Sequence, residues 1–146
     1  MANSDLSGND APDIVLEIDP ATVCFLIAKA RALDAKAAAG AEEVAETAED
    51  DLEEALEKYA ADPAAAEMRE VIDDLNEDEQ IELVALSWVG RGDFLAEEWD
   101  DALTAARDRH TGPTSTYLLG MPLLGDLLEE GFTAVGYSCE DYEVPL

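Results

Sequence analysis

Asn76-Glu77-Asp78-Glu79-Gln80-Ile81-Glu82-Leu83-Val84-Ala85-Leu86-Ser87-Trp88-Val89-Gly90-Arg91-Gly92-Asp93 is the stretch on which the fold turns. Asn76 with Glu79 three residues on reads as a capping box, in which each side chain satisfies an orphan N–H of the helix start. From Ile81 to Val89 the helix is apolar nearly all round, with no polar face in its second half. A helix of that kind has to be enclosed by others, so it is expected to be the central one. Gly90-Arg91-Gly92 stops it, and Asp93 is placed to cap the helix that follows.

Working outward, Leu95, Trp99, Ala102, Leu103 and Ala106 form a core stripe, with Glu97, Glu98, Asp100 and Asp101 towards water. Gly112-Pro113 breaks the chain, and Thr114 or Ser115 is expected to cap a short apolar helix through Leu119. After the Gly120-Met121-Pro122 turn, Leu123, Leu124, Leu127 and Leu128 open a last helix ending near Gly131 or Gly136. The acidic, aromatic tail from Tyr137 is expected to pair with the apolar arm Ile14–Ile18.

Upstream, Asp19-Pro20 and Asp62-Pro63 are helix starts: an acidic N-cap, then proline, whose missing N–H costs nothing there. The first helix buries Val23, Leu26, Ile27, Ala30 and Leu33 and is expected to end at Gly40. Met68, Val71, Ile72 and Leu75 supply the buried face of the helix after Pro63. Between them, Glu42–Tyr59 reads as an acidic helix with a thin alanine-rich stripe, and residues 41–60 are expected to be the mobile part. Residues 1–12 read as a flexible tail and 13–146 as a single helical domain. The expected fold is all-α, one compact bundle of five to seven helices with extended N- and C-terminal arms.

The 146 residues hold 36 Asp+Glu against 8 Lys+Arg, a net charge of −28. At 48% hydrophobic residues the chain can still build a core, outside the disordered class. The field disfavours direct binding to nucleic acid or to an anionic membrane. No run approaches the ~20 apolar residues of a membrane span. Met1-Ala2-Asn3-Ser4-Asp5 does not read as a signal peptide, so a cytoplasmic protein is expected. Cys24 and Cys139, isolated at opposite ends of the chain, are read there as reduced thiols. Charge is concentrated: 18 carboxylates against Lys58 and Arg69 lie between Ala41 and Glu82, while Ala21–Gly40 is net positive. Lys29 and Lys36 are placed to face the acidic segment if the first two helices form a hairpin.

These patterns frame the functional candidates. Glu42, Glu46, Glu49, Asp50, Glu53 and Glu57 form a candidate docking face for a basic protein partner, since a concentrated field steers encounter. The competing readings are a merely solvated face and a mimic of nucleic acid that inhibits a DNA- or RNA-binding protein. Arg91, Arg107, Arg109 and His110 gather scarce bases near hydroxyls and form a candidate small-anion site, against the reading that they complement a helix end. An enzyme is not expected, because no nucleophile elbow or paired-thiol motif occurs and His110 is the only neutral-range base. No metal or cofactor site is expected either: Asp74–Asp78 fails as a calcium loop, with Glu79 at the turn glycine and Ala85 at the bidentate position.

Several stretches are specific in wording. They are Val23–Lys36, Leu75–Gln80, Leu86–Phe94, Tyr117–Gly120 with Pro122–Leu124, and Gly136–Asp141. Together they resemble a bacterial family catalogued as domain of unknown function 3775, over roughly residues 14–143. The resemblance implies a small soluble helical protein and no activity. It singles out Lys29, Arg31, Trp88, Arg91, Asp93 and Tyr117 as residues the family pattern specifies.

Overall fold

The computed structural model describes residues 14–44 and 62–142. The three longest helices start where their caps place them. Helix α1 (Pro20–Val44) begins with the Asp19 carboxylate accepting from the Ala21 N–H at 2.9 Å. Asp62 does the same for α2 (Pro63–Asp74), accepting from Ala64 at 2.8 Å. At the start of α3 (Glu77–Arg91) the Glu79 N–H donates to Asn76 Oδ1 at 2.8 Å, and the Asn76 N–H to Glu79 Oε1 at 2.9 Å. A 3-10 turn (Ala96–Glu98) leads into α4 (Trp99–Asp108), followed by α5 (Thr114–Leu119), α6 (Leu124–Ala134) and a final 3-10 turn at Cys139–Asp141. There are six α-helices and no strand among the described residues.

Helix α3 is the centre. All nine residues from Ile81 to Val89 are buried, as a helix without a polar face requires. It packs against α4 and, most extensively, α6; α6 also lies on α1, and α2 bridges α1 and α5. The α3–α6 crossing is set by two glycines. A Cβ on Gly90 would land on the Leu127 carbonyl, and one on Gly131 on the Leu86 carbonyl. Backbone meets backbone there, so no side chain can yield to make room.

Some local expectations are overturned. Helix α1 does not stop at Gly40 but continues to Val44. Glycine in a helix costs about 1 kcal/mol against alanine, too little to end one set in an alanine-rich run. Leu95 is 64% exposed and outside the core, because it precedes the 3-10 turn and is not on α4. Asp93 caps nothing; its carboxylate holds Arg91. Thr114 and Ser115 do not cap α5, whose N-cap is Pro113. Both are buried with partners elsewhere, Thr114 Oγ1 on His110 Nε2 (2.8 Å) and Ser115 Oγ donating to Asp73 (2.7 Å). Residues 1–12 and the acidic segment 45–60 lie outside the described residues.

The largest correction concerns the cysteines. Cys24 on α1 and Cys139 in the last turn are bonded to each other, with Cα atoms 5.6 Å apart across 115 residues of sequence. Nothing local in sequence announces such a pairing; it follows from the fold carrying the tail back to α1. The expected meeting of tail and arm does occur, through one hydroxyl. Tyr137 Oη donates to the Ile14 carbonyl (3.0 Å) and accepts from the Leu16 N–H (3.2 Å). Leu16 and Ile18 are buried against the core.

Replacing Gly131 by alanine should therefore destabilise the protein by the top of the ~1–3 kcal/mol range for overpacking, or more. Gly120→Ala, where the added methyl meets only ordinary contacts, should stay within about 0.5 kcal/mol. Urea unfolding midpoints of the two variants check the difference.

Candidate functional site

The basic and aromatic candidates separate into three groups. Lys29 and Arg31 project from α1 into ion pairs, Lys29 with Glu67 of α2 (3.3 Å) and Arg31 with Asp126 (3.2 Å) and Glu129 of α6. Burial lowers the Arg31 guanidinium's pKa, but the two carboxylates outweigh it and the net direction is up. Lys36 pairs with Asp62 (3.1 Å), the α2 cap, whose carboxyl is held below the usual range first by the Ala64 N–H and then by Lys36. Thus Lys29 and Lys36 pair with an acid of α2 and with its cap, and the acidic segment they were expected to face lies outside the described residues.

Trp88, Arg91, Asp93, Arg109 and Tyr117 come together around the C-terminal end of α3. Trp88 is buried and its indole N–H donates to Tyr117 Oη at 2.8 Å. Phe94 stacks on the indole with centroids 6.1 Å apart, and the Arg109 guanidinium lies 5.6 Å from its centroid. Arg91 grips Asp93 through Nε (2.9 Å) and Nη2 (2.6 Å). That grip, with a smaller contribution from Tyr117, raises the guanidinium's pKa against the opposing effect of burial. Arg107 and His110 turn to the start of α3 instead, Arg107 onto Asp78 (2.9 Å) and His110 Nδ1 3.8 Å from Glu77. The sequence pattern named the cluster's members except Phe94, which it left inside the motif without a role.

Chemically this is a knot more than a receptor. Arg91 already has a carboxylate in the place a small anion would take, and Arg109 lies on an aromatic ring. Two of the nearby hydroxyls are committed: Thr114 to His110 and Ser115 to Asp73. Among the described residues no group of three or more His, Cys, Asp or Glu side chains could hold a metal ion. No described helix is long and apolar enough to cross a membrane.

The outward carboxylates are different. Glu97 in the 3-10 turn and Asp100 and Asp101 at the start of α4 are exposed, and among the described residues no base pairs with them. Glu98 is exposed too and accepts from the Leu95 N–H (2.7 Å). Of the six acids first proposed as the docking face, Glu46, Glu49, Asp50, Glu53 and Glu57 lie outside the described residues. Glu42 falls within α1, and its side chain is not described.

One buried acid was not among the candidates legible in the sequence. Glu82, in the buried face of α3, accepts the Glu17 N–H on both oxygens (3.0 and 2.9 Å) and the Ile18 N–H at 2.8 Å. A single carboxylate inside an all-round apolar run was the available signal. Burial pushes its pKa up, the two N–H groups pull it back, and nearby Glu17 and Glu79 push again; the net direction is up.

Residues 65–137 match the family model described as protein of unknown function (DUF3775). The span holds the knot and most of the bundle, from α2 to α6, and leaves Val23–Lys36 of α1 outside. No curated protein matches the chain, and no solved structure does.

Two outcomes follow. Because native Glu82 keeps its proton to higher pH than an unfolded glutamate, the native state binds more protons between those two pKa values. Stability must then fall as pH rises through that window. Glu82→Gln should remove up to ~1.4 kcal/mol per pH unit of that slope, read from urea unfolding across pH. Tyr117→Phe should cost about 1 kcal/mol and shift the Trp88 indole N–H resonance, since it deletes that bond's acceptor.

Proposed function

This chain belongs to the DUF3775 family, and from that premise, with no activity to inherit, we propose that it is a non-enzymatic acidic interaction protein. Its partner is a basic protein, engaged by carboxylates that the chain itself leaves uncompensated. One observation carries the reading: Lys29, Arg31, Lys36, Arg91 and Arg107 are each paired with an acid of the same chain. Five of the seven described Lys and Arg side chains are thus spent on acids inside the molecule, while Glu97, Glu98, Asp100 and Asp101 stand outward together on one short stretch. Such a field raises the encounter rate with a cationic surface and repels acidic competitors.

The knot favours this reading over a small-anion site, because an anion would have to displace Asp93 from Arg91. It also supplies rigidity, tying the turn after α3, which leads into the acidic stretch, to α5. A cytoplasmic setting is part of the proposal, and there the Cys24–Cys139 bond would be open to thiol reductants.

The test is affinity capture at low and at physiological salt, with the wild type beside a Glu97→Lys/Asp100→Lys/Asp101→Lys variant. Captured proteins should be markedly basic, should elute as salt rises, and should be retained at least tenfold less by the reversed variant. Retention that ignores salt, or partners of average charge, contradicts the reading.

A further inference from the structure

The Cys24–Cys139 bond does more than join two helical elements, because of what the tail beyond α6 holds. Among the described residues the last 3-10 turn has two internal hydrogen bonds: the Tyr142 N–H donates to the Cys139 carbonyl at 3.1 Å, and the Glu140 N–H to Ser138 Oγ at 3.2 Å. It is also held by the bond to α1 and by aromatic packing on Phe132, from Tyr137 (5.1 Å between centroids) and Tyr142 (6.5 Å). Tyr137 in turn clasps the N-terminal arm at Ile14 and Leu16. Disulfide, tail, tyrosine hydroxyl and arm thus form a chain of contacts, and the Glu82 carboxylate catches the arm's next two amides.

We infer that Cys24–Cys139 is a redox latch whose reduction loosens the tail and, through Tyr137, the N-terminal arm, while the α3 core stays folded. The geometry also sets the order of events. Cys24 is 1% exposed and Cys139 is only half-buried, so a thiolate reductant reaches the sulfur of Cys139. Attack there forms a mixed disulfide with Cys139 and expels Cys24 as a thiolate, which takes a proton. The second thiol of a dithiol then displaces Cys139, so that two protein thiols form as the dithiol becomes a disulfide. With the cross-link gone, the tail is left with its stacking and turn contacts, and a loop of more than 100 residues is no longer closed.

Hydrogen exchange on the full chain, oxidised and then reduced with dithiothreitol, tests the latch. After reduction the amides of Leu16 and Tyr142 should exchange at least tenfold faster, with Ile81–Val89 unchanged. Tyr137→Phe in the oxidised protein should release Leu16 but not Tyr142, and reduction should then add little at Leu16. Cys139→Ser should reproduce the reduced pattern; if it fails to fold, the latch is overturned, as the core would depend on the bond. Equal protection of Leu16 in both redox states, uniform acceleration through α3, or two titratable thiols in the air-oxidised folded protein would each overturn it as well.

Discussion

A helix with no wet face has to be enclosed on every side, and that condition on Ile81–Val89 governs the rest of the molecule. Helix α6 can approach closely enough only because Gly90 and Gly131 carry no side chain where the two backbones meet. Helix α4 covers another side, and the arm Ile14–Ile18 closes over Glu82. Burying a Leu or Ile side chain is worth about 1.5–3 kcal/mol, so the seven apolar residues among these nine enclosed positions are a large store of stability. The single acid among them is tolerated because two backbone amides meet it.

That store has an opponent at the surface. Two like charges about 10 Å apart in water repel by roughly 0.4 kcal/mol before screening, and the chain carries 28 more negative than positive charges. The distribution of bases mitigates this at chosen seams: Lys29 and Lys36 fasten α1 to α2, Arg31 fastens α1 to α6, and Arg107 fastens α4 to α3. Exposed pairs of this kind contribute ~0–1 kcal/mol each, so they relieve repulsion more than they cement the fold. Where no base is assigned, as at Glu97–Asp101, the field extends outward, and the proposed partner is met there.

Among the local signals in the sequence, three helix starts were reliable. Asp19-Pro20, Asp62-Pro63 and Asn76 with Glu79 each announced a helix start, because a cap is decided within four residues. The buried run announced the centre for a similar reason, since its composition admits no other place. Gly40 misled because a propensity of about 1 kcal/mol is a weak stop signal. Asp93, Thr114 and Ser115 looked like caps because their side chains suit caps. The partners that claimed them, Arg91, His110 and Asp73, include two that lie on neighbouring helices or beyond the turn. The cysteine pair was least legible of all, being made by the return of a tail across 115 residues. In the candidate site the motif wording selected Trp88, Arg91, Asp93 and Tyr117, and the fold assembled those four. The charge pattern also put Arg107 and His110 there, and they turned out to serve the opposite end of α3.

A core enclosed around α3 and strong enough to carry an uncompensated acidic surface makes one simple demand on solution behaviour. Salt should relieve the repulsion without touching the core. The direct measurement is the melting temperature of the oxidised chain in sodium chloride from about 10 mM to about 150 mM, near the concentration where the Debye length is ~8 Å. A rise of several degrees is expected over that range. A flat or falling melting temperature would mean that the carboxylates are already neutralised within the chain, and the acidic surface would lose its standing as a docking face.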